Sequence, residues 1–291
     1  MGFLDSSSVP APLDSYSSNL AGAYSVSRRL LSNYSGSLIR VRRSGDNSEY
    51  DFGFTSNGNL DTASITAFVI AGGGTQHGHI VTKYDQSGNS RNLTLSTAAN
   101  QLRIVSSGVL ETIGTNTRPC GTASSNSMGP YSTSSFTDYT GTTVSSTLVG
   151  HQADTGLDSE RFLGLTKDTA SDFANAGSVI LSFRNTGLNF YSFRSGAGLL
   201  NLTTAAGYGA FTRTTRFSGT QTESVLNGVS SGLTSNSTAF DVNRILTCGI
   251  SSSTGNFNTG NKWSEAVIWF SDIGSTDLET IRTEQATYFG I

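Results

Sequence analysis

His79-Ile80-Val81-Thr82-Lys83-Tyr84-Asp85-Gln86-Ser87-Gly88-Asn89-Ser90-Arg91-Asn92-Leu93 reads as a strand running straight into a tight polar turn. Ile80, Thr82 and Tyr84 alternate with Val81 and Lys83, the period of two of a half-buried strand. Asp85, Ser87, Gly88 and Asn89 then supply turn chemistry: short polar side chains that bond nearby backbone, and a glycine free to take positive φ. The whole chain has the same character. Of its 291 residues 35% are hydrophobic and only 13% charged, with 33 glycines. A polar, weakly charged composition fits many short strands joined by many turns, and fits a helical bundle or an acidic disordered tail poorly. The 16 Phe and 10 Tyr suffice to fill a sandwich core.

Upstream of this stretch, residues 1–19 read as an extended Ser/Pro-containing arm. From Asn19, the spacing of Leu20, Ala23, Tyr24, Leu30, Leu31 and Tyr34 predicts a helix ended by Asn33-Tyr34-Ser35-Gly36. Leu38 to Arg43 and Glu49 to Phe54, around Gly45-Asp46-Asn47, predict a hairpin. Asp61 announces a second helix by accepting from free first-turn N–H groups, and Gly72-Gly73-Gly74 ends it. That triplet closes a helix instead of opening one and no Lys-Ser/Thr follows, so it is not a phosphate cradle.

Downstream, short strands recur: Leu102–Val105, Thr143–Gly150, Arg161–Leu165, Ser178–Arg184, Leu188–Phe193, Ala210–Arg216, Glu223–Val225, Ile245–Ile250 and Lys262–Phe270. Their spacing argues for a sandwich or barrel. Asn227-Gly228 marks a hairpin. Thr276-Asp277-Leu278-Glu279 matches a capping box at the start of a final helix. No linker divides the chain, which gives an arm over residues 1–19 and one domain over 20–291.

A net charge of −3 gives no reason to expect a nucleic-acid partner. Arg40, Arg42 and Arg43 are interrupted by Val41 and followed by Asp46, Glu49 and Asp51, the pattern of a solvated strand face. Two cysteines, Cys120 and Cys248, exclude a disulfide framework and a Cys-rich zinc site, while one long-range bridge stays open. Neither a signal peptide nor a membrane span is legible, so a soluble product made in the cytoplasm is expected, with no membrane partner and no cofactor. His77 and His79 share a strand face but have no neighbouring Cys or second carboxylate cluster, and a loop role is favoured over metal ligation. Asp154, Asp158 and Glu160 beside His151 match no calcium-loop spacing. Asp85 is read as an Asx-turn residue closing a strand.

The run Ala23-Tyr24-Ser25-Val26-Ser27-Arg28-Arg29-Leu30-Leu31-Ser32-Asn33-Tyr34-Ser35-Gly36, with Ile39-Arg40-Val41-Arg42-Arg43, resembles the opening of the fungal-type α-L-arabinofuranosidase B catalytic domain. Asp61-Thr62-Ala63 and Tyr84-Asp85-Gln86-Ser87-Gly88-Asn89 follow in that family's order, and Trp263-Ser264-Glu265-Ala266-Val267-Ile268 is similar to the end of concanavalin A-like sandwiches. The resemblance implies a mainly β fold, a jelly-roll sandwich of two antiparallel sheets with a few short helices. It also implies a retaining glycosidase, in which a nucleophilic and an acid/base carboxylate stand about 5 Å apart. The family's adjacent cysteine pair has no counterpart here. The positions matching its acid, Gly249-Ile250-Ser251-Ser252-Ser253, and its nucleophile strand, Ile180-Leu181-Ser182-Phe183-Arg184, contain no carboxylate. A hydroxyl cannot protonate a leaving group near neutrality.

These departures imply a non-enzymatic protein. With no secretion signal legible and a hydrophobic arm ahead of the domain, the arm-plus-domain layout is similar to that of phage structural gene products. The expected function is therefore a structural protein of a tailed-bacteriophage virion, as head decoration, head fibre or tail component. Phe3, Leu4, Val9, Pro10 and Pro12 of the arm would contact other virion proteins, in an oligomer of the chain. Weak binding of host-surface glycans would be secondary, with Tyr131, Tyr139, Tyr208 and Trp263 as stacking candidates and core packing as their competing fate. The alternatives are a glycoside hydrolase acting on arabinose-containing polysaccharide through a relocated carboxylate pair, and a surface lectin-like adhesin.

Overall fold

Short strands with one or both faces apolar bury them by stacking into layers. The computed structural model shows that outcome, a concanavalin A-like jelly-roll sandwich of antiparallel strands. It describes residues 10–73, 75–125, 129, 131–137, 143–153, 160–166, 179–184, 190–194, 199–202, 208–235, 245–248 and 257–291. The strands that position the site are β1 (Leu20–Ser25), β2 (Ile39–Arg43), β3 (Glu49–Phe52), β4 (Gly78–Lys83), β5 (Leu93–Thr94) and β6 (Arg103–Ser106). They continue as β7 (Tyr131–Ser132), β8 (Thr143–Gln152), β9 (Glu160–Thr166), β10 (Val179–Arg184), β11 (Phe190–Arg194) and β12 (Leu199–Leu202). The last are β13 (Gly209–Ser218), β14 (Gln221–Leu226), β15 (Ile245–Cys248) and β16 (Lys262–Trp269), with helices α1 (Thr62–Ile70) and α2 (Ser275–Phe289).

One layer runs β1-β16-β8-β13-β14. The other runs β3-β2-β4-β5-β7-β15-β9-β10-β11-β12. Gly121 and Thr122 join them, pairing with both β16 and β6, while β6 pairs β4. Residues 263–269 of β16 are all buried, as a strand covered on both faces must be. In the core Phe162 meets Phe211 and Phe257 edge-on, with ring centroids 5.1 and 5.0 Å apart.

The predicted hairpins form. β2 pairs β3, and Asn227 and Gly228, with φ of 47° and 83°, turn the chain at the end of β14. Asp61 caps α1, its carboxylate accepting from Ser64 N at 3.1 Å. Three expectations are corrected. The segment from Leu20 is strand β1, not a helix: all six residues are buried, so covered faces on both sides mimic helical spacing. A Cβ on Gly22 would lie 2.6 Å from the Tyr24 hydroxyl, which explains the glycine there. The final helix starts at Ser275 after Gly274, with no side-chain cap; Glu279 pairs Arg282 instead of capping. Finally, β4 is buried on both faces, Lys83 included, and is not half-exposed.

From Pro10 onward the leading segment folds onto its own domain. Asp14–Tyr16 forms a 3₁₀ turn, Leu13 is buried against Leu30 and Trp269, and Trp269 Nε1 donates to Tyr16 O at 2.8 Å. Phe3, Leu4 and Val9 lie outside the described residues; Pro10 is exposed and Pro12 half-buried.

The turn after β4 fastens these parts together. The buried Asp85 carboxylate accepts from Ala23 N (3.0 Å), Ser87 N (2.9 Å), Ser87 Oγ (2.8 Å) and Arg91 N (3.0 Å). Gln86 Oε1 accepts from Leu30 N at 2.7 Å, and Asn89 Nδ2 donates to Leu20 O at 2.6 Å. In Asp85→Asn one acceptor becomes a donor facing N–H or O–H groups that also donate. The change is expected to cost about 3 kcal/mol, measured as a lower urea midpoint with unchanged slope; a loss under about 0.5 kcal/mol would contradict the clamp.

Candidate functional site

Strand β9 is the centre of the region to which the resemblance points. It pairs β10 on one side, with Glu160 opposite Arg184, and β15 on the other, with Gly164 opposite Thr247. The strand matched to the family nucleophile (β10) and the strand leading into the matched acid segment (β15) therefore flank a common neighbour. Strands two apart in a sheet are about 10 Å apart. Residues 249–253 lie outside the described residues.

Beside β15 the core holds a cation. Lys83 is fully buried, with Nζ 3.1 Å from the centroid of the Tyr131 ring, 4.7 Å from that of Trp263, and 3.8 Å from Cys248 Sγ. Burial, opposed by Cys248, lowers the Lys83 ammonium to about 8. Two of the proposed sugar-stacking residues thus have interior positions. Trp263 is buried, and Tyr131 is buried with its hydroxyl donating to Ile80 O and accepting from Leu102 N. Tyr208 is exposed, while Tyr139 lies outside the described residues.

The remaining candidates are held by structural contacts. His79 is lowered to about 4 by burial, and His77 Nδ1 accepts from Ser107 N. Among the described residues no three His, Cys, Asp or Glu side chains group as a metal site would require. His151 is half-buried and its titration is lowered by burial and by Lys262. Asp154 and Asp158 lie outside the described residues. Each of the three arginines of β2 is bonded: Arg40 to Asp51, Arg42 to Gln101 and Asn47, Arg43 to Asp46. Cys120 and Cys248 are both free thiols.

Sequence reasoning missed one network altogether. Arg28 Nε and Nη2 donate to the buried Glu265, Nη1 and Nη2 donate to Glu284, and the guanidinium lies 3.9 Å from the Tyr288 ring centroid. Burial alone would lower the Arg28 titration, but the two carboxylates outweigh it and raise it. A pocket of about 280 Å³ opens beside Glu284 and Tyr288, edged by Asn57, Asn59 and Pro12. Arg28 is tied to residues more than 230 positions away, so no local pattern could announce it.

Comparison with known proteins fixes the family. The model of the α-L-arabinofuranosidase B catalytic domain matches residues 12–161. The chain belongs to this family. The arabinofuranosidase B-type fold extends beyond the matched half. A crystal structure of an arabinofuranosidase complexed with arabinofuranosyl-α-1,2-xylobiose superposes with a TM-score of 0.72 at 15% identity, over 96% of this chain and 65% of that one. A GH54 α-L-arabinofuranosidase soaked with a cyclic sulfate inhibitor gives 0.70 at the same identity and coverage. A Trypanosoma rangeli sialidase in complex with sialic acid gives 0.50 at 9% identity, over 71% of this chain and 31% of that one. The chain spans about two-thirds of the length of the arabinofuranosidase structures, 65%, and no curated protein sequence matches it.

Family membership overturns the expectation of a non-enzymatic virion protein. The family is one of glycoside hydrolases, and nothing in these likenesses points to a virion.

The Lys83 environment gives a test with a definite sign. Its proton is held more weakly folded (about 8) than at its ordinary value of 10.5, so the unfolded chain binds more protons between those pH values and stability rises across them. Replacing the buried ammonium by Lys83→Met is expected to stabilise the protein at pH 7, by up to about 3 kcal/mol. The gain should shrink as pH rises from 8 to 10.5, followed by thermal unfolding at several pH values. A gain independent of pH would contradict a buried charge.

Proposed function

We propose that the chain is a glycoside hydrolase acting on arabinose-containing polysaccharide. The observation that carries this reading is the family match over residues 12–161. The sandwich supports it by bringing strands β9, β10 and β15 side by side within one layer. Hydrolysis with an oxocarbenium-like transition state needs one carboxyl group to protonate the leaving oxygen and another to attack the sugar or activate water. Because the two matched segments contain no Asp or Glu, this chain must draw its pair from other positions. Glu160 opens β9, between the two flanking strands, and Asp154 and Asp158 precede it in sequence.

Release of nitrophenol from 4-nitrophenyl α-L-arabinofuranoside is the measurement. Activity is expected from the full chain, and one of Asp154→Asn, Asp158→Asn or Glu160→Gln should lower kcat at least about 100-fold with unfolding unchanged. If the well-folded chain releases no sugar, or no carboxylate-to-amide change removes the activity, the hydrolase reading fails.

A further inference from the structure

We propose that Lys83 and Cys248 are a modification site, joined under peroxide by a sulfenamide bond between Nζ and Sγ. Three features of the core carry this. The two atoms are 3.8 Å apart, on side chains that are both buried. The rest of the lysine's surroundings is aromatic face, from Tyr131 and Trp263, and Cys248 Sγ is its one hydrogen-bond acceptor among the described residues. A fully buried amine without a carboxylate is expensive to keep, so its persistence beside a thiol calls for a use. Cys120 makes the internal comparison. It is equally buried, but its sulfur's hydrogen-bond neighbour is the Thr122 hydroxyl at 3.7 Å, and the Lys262 ammonium that acts on it donates to Thr112 O instead.

The chemistry balances with one equivalent of hydrogen peroxide. Proton transfer from Sγ to Nζ supplies the thiolate that a buried cysteine otherwise lacks. Sulfur attacks a peroxide oxygen, the O–O bond breaks, and after proton transfer Cys248 is a sulfenic acid and the first water leaves. The lone pair of the neutral Lys83 amine then attacks sulfur, the S–O bond breaks, and the hydroxyl departs with an amine proton as the second water. Sulfur is oxidised by two electrons and peroxide reduced by two, the condensation of a sulfenic acid with nitrogen seen elsewhere in cysteine chemistry. The low titration of Lys83, about 8, keeps a fraction of the amine neutral near physiological pH. The link would tie the last residue of β4 to the last residue of β15, where the chain enters residues 249–253.

The test is intact-mass spectrometry and tryptic mapping of the full chain before and after hydrogen peroxide. The expected product has lost two hydrogens, yields one peptide joining the Lys83 and Cys248 segments, resists cleavage at Lys83, and returns to the starting mass with dithiothreitol. Lys83→Met and Cys248→Ala should each abolish the joined peptide while Cys120→Ala leaves it; the wild-type map decides alone if a variant does not fold. A joined peptide retaining an oxygen, Cys248 found as sulfinic acid on a linear peptide, or Cys248 unchanged while peroxide oxidises methionine would each overturn the proposal.

Discussion

The Asp85 carboxylate is the constraint on which the rest of the sandwich depends. Two oxygens gather four donors: the N–H of Ala23, in the middle of β1, and the Ser87 N–H, Ser87 hydroxyl and Arg91 N–H of its own turn. β1 pairs with β16 in one layer, while Asp85 follows β4 in the other. One buried acceptor therefore ties the two layers together, alongside the pairing of Gly121 and Thr122 with both. Asp85 and Ala23 lie 62 residues apart in sequence, so this bond forms only after a long loop closes, and a turn prepared before its partner arrives favours it. Asp85 N donating to Asn92 Oδ1, and the bonds of Asp85 to Ser87, provide that preparation locally. A turn pre-shaped in this way loses less entropy when the long-range contact is made.

Where the chain buries one face, its elements were legible. β2 and β3 are such a case, as is α1 with Asp61 at its cap, and the Asn227-Gly228 turn needs only local φ preference. Two-sided burial hid one element and not others: the covered strands β8, β15 and β16 were still legible from their length and turn-bounded runs, whereas β1 was not. Leu20–Ser25 is covered completely, so the apolar spacing of Leu20, Ala23 and Tyr24 carried no information about period and a helix was inferred from a strand. Lys83 misled in the opposite sense: a charged side chain implied an exposed face, whereas aromatic rings and a sulfur receive it inside the core. Thr276-Asp277-Leu278-Glu279 failed for a third reason. The capping box is a competition among nearby bonds, and Arg282 takes Glu279.

The candidate site was legible only through family likeness, and incompletely. One strand and one segment could be matched by order along the chain, but which strand stands between β10 and β15 is a property of topology; β9 enters as their common neighbour only in the folded sheet. Aromatic residues offered no better guide. Tyr131 and Trp263 are residue types that stack on sugars, yet both are buried around Lys83, because large rings satisfy a buried cation as well as they satisfy a glycan. The Arg28–Glu265–Glu284 network shows the same limit for charge: an arginine in an apolar run is ambiguous until distant carboxylates reach it.

These observations separate what holds the scaffold from what would act on a substrate. The Asp85 clamp, its Gln86 and Asn89 companions, β1 and β2 all fall within residues 12–161, the part matched by the family model. Strands β10, β11, β12 and β15 lie beyond it, and only β9, from Glu160, touches its edge. The second half also fastens the first, through β16 pairing β1, Trp269 donating to Tyr16 O and Glu265 holding Arg28. Fold and chemistry are under different physical controls, so a fold signature can be strong in a chain without by itself locating a catalytic pair. The family-specific string that best identifies the scaffold is thus the string with the least freedom to become a catalytic site. Its polar groups are already bonded to β1, to Leu30 and to the turn itself.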